Sequence, residues 1–502
     1  MVDVAKESNL EIIRQVAQLL QKENSTLWER VEKLMAEVSE LKGETPEQLE
    51  LELASLRELL AARERQLFGK SSEKRPRTSP LVPEDEDAPP PQTGHGPTEQ
   101  TQLECVERIH ELPADERQCR HCGGDLLAMG EQSEDSEEIS VVKRSFVVVR
   151  HRRRKYRCRC NGTVQTAPGP PKLIPGGRYS PEFAVEVALG KYLDHLPLER
   201  QVRIMKRQGL TVSSQTLWDQ IEALAGHLEP SYEALGKTLL KSPVIHADET
   251  RWPLLSEKPS AWWAWCLASE AGVFYRILGS RSAKAARSVL KGYEGIVLSD
   301  GYKAYASLSR GDPRFTLAHC WAHVRRKFIE AEAHYPSASQ ALDWIGELYA
   351  VEREVPWVPG LETPERLAQR ARLREERSRP VVDQLRTWAM NQPVLPRSSL
   401  GKAVRYLLEL WAGLSRFLDN PRIPLDNNLV ERAIRGPVVG RKNHYGSRSR
   451  RGTEVAAIFY SLIETAKLLG VEPQAYLLEA TATALRSPGA IHLPTDPLEA
   501  AA

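Results

Sequence analysis

Between Ser242 and Phe328 the sequence predicts a mixed α/β domain. Three observations predict it: short apolar runs alternate with helical stretches, two runs are joined by the turn "SEAG", and two runs close on an aspartate. "PVIHADE" reads as a buried strand ending in Asp248, and "AWWAWCLA" and "GVFYRILG" as two further strands. "SAKAARSVLKGY" is helical, and "GIVLSD" is a buried strand ending in Asp300. "GYKAYASL" turns into a helix, "FTLAHC" is a fifth short strand, and "WAHVRRKF" opens another helix. Run lengths and flanking turn residues separate strands from helices here. An antiparallel meander followed by parallel strands is the outline of an RNase H-like core. In such a sheet the first and fourth strands are neighbours, which brings Asp248 and Asp300 to one edge.

Two carboxylates held together repel unless a cation lies between them. Hard oxygen donors select Mg2+ or Mn2+, and a pair of such ions about 4 Å apart suits phosphodiester chemistry. A second metal position needs a third carboxylate. The stretch "LDNNLVERAIRGPVVGRKNHYGSRSRRG", Leu425 to Gly452, offers Glu431 at the head of a basic run. Taken alone, Glu431 and Arg435 at i and i+4 make an ordinary surface ion pair. Beside the two aspartates, Glu431 reads instead as the third ligand. Asp426 is the expected cap of its helix and Gly436-Pro437 its expected end. Arg441, Lys442, Arg448, Arg450 and Arg451 follow as candidates for holding a phosphate backbone.

The rest of the 502 residues divides around this core. Ile13, Leu20, Leu27, Leu34 and Leu41 fall seven apart, with Leu10, Ala17, Asn24, Val31 and Val38 interleaved, so residues 1–70 read as a coiled coil, or leucine zipper. A second helical stretch, Pro46 to Leu67, continues the leucines after Gly43. Residues 71–100 are a Pro-rich disordered linker. Residues 101–175 hold Cys119, Cys122, Cys158 and Cys160, four thiolates at Cys-x2-Cys and Cys-x-Cys spacing, the set of one structural Zn2+. The Val- and Arg-rich segment between the pairs reads as strands, with Arg152, Arg153, Arg154 and Lys155 placed to meet DNA. Residues 176–240 are helical, and Gly209 followed by Ser213 and Ser214 gives helix-turn-helix spacing. Residues 241–330 form the first part of the core, 331–424 a helical insertion, 425–480 the second part and 481–502 a tail. Cys320-x2-His323, with His319, resembles half of a metal site; with no second pair nearby it reads as structural.

The net charge of +2 names no partner by itself, but the local blocks differ sharply. Lys143 to Cys160 carries nine Lys and Arg and no acid, which points to nucleic acid. No run reaches the eighteen apolar residues of a membrane span, and the start is no secretory signal, so a cytoplasmic, nucleoid-associated protein is expected.

At this point the chain resembles the insertion sequence 66 family of DDE-type transposases, the large transposase of those bacterial elements. The resemblance rests on "RQLFGKSSEKR", the cysteine pairs, "HLPLERQ", "HADET", "SDGYKAY", "AHCWAHVRRKF", "DNNLVERAIR" and "RKN" with "FYSLIETAKLLGVEP". It spans almost everything from about residue 65, and its last four motifs are highly specific as a set. It departs at Arg435-Gly436-Pro437 and His444-Tyr445, positions that touch DNA contacts rather than metal ligands. The resemblance implies a triad of Asp248, Asp300 and Glu431, two Mg2+ or Mn2+ per active site, and cutting and joining of DNA. It also implies double-stranded DNA as partner; the heptads of residues 10–41 predict a homodimer or higher oligomer on DNA, and whether small accessory proteins of the same element join it is left open by the sequence. Two other readings stand beside it: a catalytically inactive DNA-binding regulator derived from a transposase, and a metal-dependent nuclease without strand transfer.

Overall fold

The computed structural model describes residues 46–68, 145–157, 164–257, 261–311, 315–358 and 361–497. Residues 74–145 separate as a unit of their own, and all but the last of them lie outside that description. The expected zipper over residues 10–41 and all four zinc-site cysteines also lie outside it.

In chain order the first elements are α1 (Pro46–Phe68), the strands β1 (Lys155–Arg157) and β2 (Val164–Thr166), and the helices α2 (Pro181–Tyr192), α3 (Leu198–Arg207) and α4 (Ser214–Leu239). Then come β3 (Val244–Pro253), β4 (Ala261–Ser269), β5 (Gly272–Leu278), α5 (Ala283–Val289), β6 (Ile296–Ser299), α6 (Lys303–Gly311) and β7 (Thr316–His319). A helical stretch follows: α7 (Trp321–Glu332), α8 (Ala338–Glu354), α9 (Pro364–Leu373), a π-helical turn at Arg374–Ser378, α10 (Arg379–Asn391), α11 (Ser399–Glu409), α12 (Trp411–Leu414) and α13 (Arg416–Asp419). The chain returns to the sheet with α14 (Asn428–His444), α15 (Arg450–Leu468) and α16 (Pro473–Arg486).

The sheet has the order β5-β4-β3-β6-β7. β5, β4 and β3 pair antiparallel, while β6 pairs parallel with both β3 and β7. This gives a mixed α/β architecture, with the edge strand β5 covered by α15. Its free amides are met by hydroxyls of that helix: Tyr275 N–H donates to Ser461 Oγ at 2.8 Å and Val273 N–H to Thr465 Oγ1 at 2.9 Å. Hydroxyls placed four residues apart on α15 thus do what a sixth strand would do, and the edge offers no template for aggregation.

The buried residues fall into two cores. One joins the sheet to α2, α4, α14, α15 and α16 through residues such as Leu224, Trp265, Tyr275, Val430 and Phe459. The other joins Leu298 and Ala318 to the helices that follow β7, with Trp321, Phe328, Leu385 and Phe417 at its centre. Against this second core α1 lays Leu51 and Ala54, and its Glu58 accepts the Ser399 amide at 2.9 Å. Of the leucines after Gly43, Leu51 therefore packs on the chain's own helices, while Leu56 and Leu59 stand exposed.

Two expectations change. The strand that begins at Val244 does not stop at Asp248 but runs to Pro253, because β4 pairs with it as far as Pro253↔Ala261. And Ser145–Arg154 forms no strand: among the described residues, pairing in this region is confined to Lys155–Arg157 against Val164–Thr166, and the valines at 147–149 stand exposed.

Candidate active site

Side chains alternate along a strand, so His246, Asp248, Thr250 and Trp252 of β3 share one face. Three of the four reach towards α14 and the turn after it. His246 Nδ1 lies 3.0 Å from Asn427 Oδ1, Arg441 Nη1 donates to Thr250 Oγ1 at 2.9 Å, and Trp252 Nε1 donates to Ser447 Oγ at 3.0 Å. Asp248 stands between them, on the side of the helix that carries Glu431. Glu249 takes the opposite face, where it is buried and held by Arg281 Nε at 2.7 Å and Tyr305 Oη at 3.0 Å. Arg281 in turn stacks on the Tyr302 ring, its guanidinium carbon 3.8 Å from the centroid.

Asp300 follows the last residue of β6. The register pairs His246 with Leu298, and Asp248 and Asp300 each lie two residues further along their strands. Neighbouring strands sit about 4.8 Å apart, so the two carboxylates are lateral neighbours. The turn that holds Asp300 is built for the purpose. Asp300 Oδ1 accepts the Tyr302 amide at 2.9 Å, and Tyr406 of α11 donates to the Asp300 carbonyl. Gly301 adopts φ +90°, and a Cβ there would stand 2.6 Å from the end of the Leu410 side chain, so any other residue is strained. The charges register on Asp248: burial first, then Asp300, Glu249 and Glu431, push its carboxyl up to about 7, against the Glu249 amide that it accepts.

Two expectations for α14 are corrected. Its N-cap residue is Asn427, not Asp426. Asp426 instead accepts the Asn428 amide, two residues later in the turn, at 3.0 Å. Asn427 is wholly buried and joins three segments: its side chain meets His246 and donates to the Ala247 carbonyl at 3.1 Å, and its amide donates to Cys320 Sγ at 3.1 Å. The helix also does not end at Gly436-Pro437 but continues to His444, closing on Tyr445 in the left-handed region with φ 61°. Pro437 cannot donate to the Ala433 carbonyl four residues back. Tyr275 of β5 donates to it instead, at 2.7 Å, and so makes good the missing bond. Gly436 and Gly440 face Glu464 and Tyr460 of α15 so closely that a Cβ at either would collide.

Glu431 sits one turn into α14 with its Oε1 shielded from solvent and without a hydrogen bond. Its ionic neighbours are His323, Nδ1 to Oε1 3.6 Å, and Arg326, 3.9 Å from Oε2, both on α7. Arg435, the partner expected from spacing alone, is not one of them. Cys320 lies beside them as the N-cap residue of α7, and burial pushes its thiol up to about 12.

The basic residues are less uniform than the sequence suggests. Arg152, Arg153, Arg154, Lys155, Lys442 and Arg448 are exposed. Arg441 is half-buried on Thr250, Arg450 pairs with Glu257 at 2.5 Å, and Arg451 reaches Glu454 at 2.9 Å and Glu222 at 3.4 Å. Asp248 thus lies beside Asp300 and feels the charge of Glu431, and Arg441 bonds to Thr250 two residues further along β3. Asn427, Tyr406 and Arg281, which support the carboxylates, were not singled out by sequence reasoning. The "DNN" run marks a helix start, but nothing local shows that its middle residue bonds to a strand 180 residues earlier.

The sequence profile of the transposase IS66 family matches residues 176–455, and that of the zinc-finger binding domain of transposase IS66 matches residues 116–161. The second match encloses Cys119, Cys122, Cys158 and Cys160. The chain is 33% identical over 390 residues to the uncharacterised protein y4jD of Sinorhizobium fredii, covering 73% of this chain and 75% of that one. It is 33% identical over 417 residues to y4qI of the same organism, covering 78% and 74%. A third relative there, y4hP, is 29% identical over 395 residues, 72% and 70% of the two chains. Among the described residues no helix is long and apolar enough to cross a membrane. With a profile that covers more than half its length and includes all three carboxylates, the chain belongs to the IS66 family of transposases.

Proposed function

We infer that this chain is a DNA transposase that cuts at the ends of an insertion sequence and joins the 3′-hydroxyl ends to target DNA. The observation that supports the reading is Asp248 on β3 beside Asp300 at the end of the adjacent parallel β6, with the Asp248 carboxyl pushed up to about 7 by burial and by the charges of Asp300, Glu249 and Glu431. A cluster of carboxylates that disfavours its own ionisation is one that a cation relieves. The all-oxygen donor set of the aspartates fits Mg2+ or Mn2+. Two such ions supply activation of the attacking oxygen and stabilisation of the leaving oxygen of a phosphodiester. The sheet order, with its meander and parallel strands, supports an RNase H-like core.

The residues around the triad have their own tasks. Asn427 fixes the start of α14 to β3, so Glu431 is carried to the aspartates by a rigid helix. Tyr406 and Gly301 hold the Asp300 turn. Lys442 and Arg448, exposed next to Arg441, take the phosphate backbone, whereas Arg450 and Arg451 must first leave Glu257, Glu222 and Glu454. Helices α3 and α4, joined through Gly209 at φ +89° and capped by Ser213 on the Thr216 amide, are the helix-turn-helix-like element for DNA. Cys119, Cys122, Cys158 and Cys160 are the ligands of the finger's zinc. Residues 10–41 dimerise the protein through their heptads.

The test is Mg2+-dependent nicking of a labelled terminal-repeat duplex by wild type and Glu431→Gln at matched DNA occupancy. The variant is expected to bind and fold normally yet nick at least a hundredfold more slowly, on the order of what one lost charge-stabilising group costs. Equal nicking rates would return Glu431 to a structural ion pair with α7. Joining of a pre-cut end to a second duplex separates the transposase from a nuclease.

A further inference from the structure

Cys320, His323 and Glu431 make up a donor group that the aspartate pair does not require. One ligand atom from each, Sγ, an imidazole nitrogen and a carboxylate oxygen, lies within 4.8 Å of the other two. Cys320 and His323 are the N-cap and third residues at the start of α7, a spacing that sets both on one side of the first turn. Glu431 comes to them from α14. The sulfur is already dressed as a ligand: the backbone amides of Asn427, at 3.1 Å, and of His323 both donate to it.

Two polar atoms here are unexplained by the rest of the protein. His323 Nδ1 and Glu431 Oε1 are each shielded from solvent, each without a hydrogen bond, and face one another across 3.6 Å. That gap exceeds a hydrogen bond, and Arg326 reaches only the other carboxylate oxygen, at 3.9 Å. Buried polar atoms left without partners are rare, and a place for a bound ion is one of the recognised causes.

We propose that Cys320, His323 and Glu431 bind a borderline divalent cation, Zn2+ foremost, in a site separate from the zinc finger and sharing Glu431 with the Asp248–Asp300 pair. Sulfur and imidazole donors favour Zn2+ and disfavour Mg2+, which takes oxygen. A tetrahedral zinc sets its donors roughly 3.3–3.6 Å apart, which small side-chain rotations within the 4.8 Å cluster supply. Three protein ligands leave the fourth position open, and the site has a way in: the His323 and Glu431 side chains keep 21% and 23% of their exposure, while Cys320 closes the floor. The cation holds Glu431 against α7 and so fixes the rotamer in which that carboxylate meets the aspartates.

The experiment is the zinc content of the full-length protein, loaded with ZnCl2, desalted and measured by mass spectrometry of the metal. Wild type should carry about two zinc ions per chain, one in the finger and one here. Cys320→Ala and His323→Gln should each carry about one, as should the finger variant Cys119→Ser/Cys122→Ser. His323 is partly exposed, so His323→Gln keeps the fold even where the buried Cys320→Ala does not, and circular dichroism checks both. Asp300→Asn should keep both ions while losing Mg2+-dependent nicking, which separates this site from the catalytic reading. About one zinc in the wild type, or undiminished zinc in a folded His323→Gln, overturns the proposal.

Discussion

Asp248 shows what a single residue can report. It occupies the middle of a strand with neighbours of its own sign, and its carboxyl is pushed up to about 7 from an ordinary value of 3.8. A group whose folded pKa is raised binds its proton more tightly in the folded state. Its contribution to stability is full below about 3.8 and is lost as pH rises through about 7. In protein freed of divalent cations, Asp248→Asn should therefore gain on wild type between pH 4 and pH 7 and hold a constant advantage above that. Urea midpoints across that range check it, and a difference independent of pH would show that the carboxyl is not strained. The acids themselves were legible in the sequence, because two of them close apolar runs and the third heads a basic one. Asn427 was not, because its partners His246, Ala247 and Cys320 are distant in the chain and meet it only in the folded protein.

At the scale of the element, α14 is the instructive case. Gly436-Pro437 reads locally as a stop, and the helix passes through it because β5 supplies a phenol where the helix lacks an amide. Tyr275→Phe removes that donor while keeping the ring, and leaves the Ala433 carbonyl buried and unpaired. The expected cost is about 1–3 kcal/mol of stability, read as a lower urea midpoint with unchanged slope. An unchanged midpoint would mean that the proline needs no compensation. The short strands β6 and β7 were readable because brief apolar stretches, Ile296-Val297-Leu298 and Leu317-Ala318, between turn signals leave few alternatives. The length of β3 was not readable: its second half, Glu249–Pro253, is polar enough to pass for a loop and is a strand because β4 pairs with it.

For the molecule as a whole, the helices from α7 to α13 stand between the second aspartate and the glutamate, and buried arginines brace them. Arg374 is fully buried; it grips Glu352 through two bonds of 2.7 Å and donates to the carbonyls of Phe417, Asn420 and Ile423 at 2.7, 3.3 and 3.0 Å. That residue ties the middle of the helical stretch to the strand of chain that leads into α14. Arg374→Ala strands a carboxylate and three carbonyls, a loss of about 3–5 kcal/mol. Limited proteolysis should then cut first within residues 331–424 while the sheet survives; a cleavage pattern like that of wild type would count against the brace. That a helical region lies here was visible in its Leu, Arg and Glu content, whereas its fastening is not, since arginine-to-carbonyl bonds leave no periodic trace. The interruption has a temporal side. Glu431 is translated 131 residues after Asp300, which at ~5–20 residues per second is roughly 7–26 s. Throughout that interval the nascent chain holds both aspartates and no third carboxylate. The proposed catalytic set is therefore complete only after the intervening helices have been made, and a truncated product ending between Asp300 and α14 has two of its carboxylates and not three.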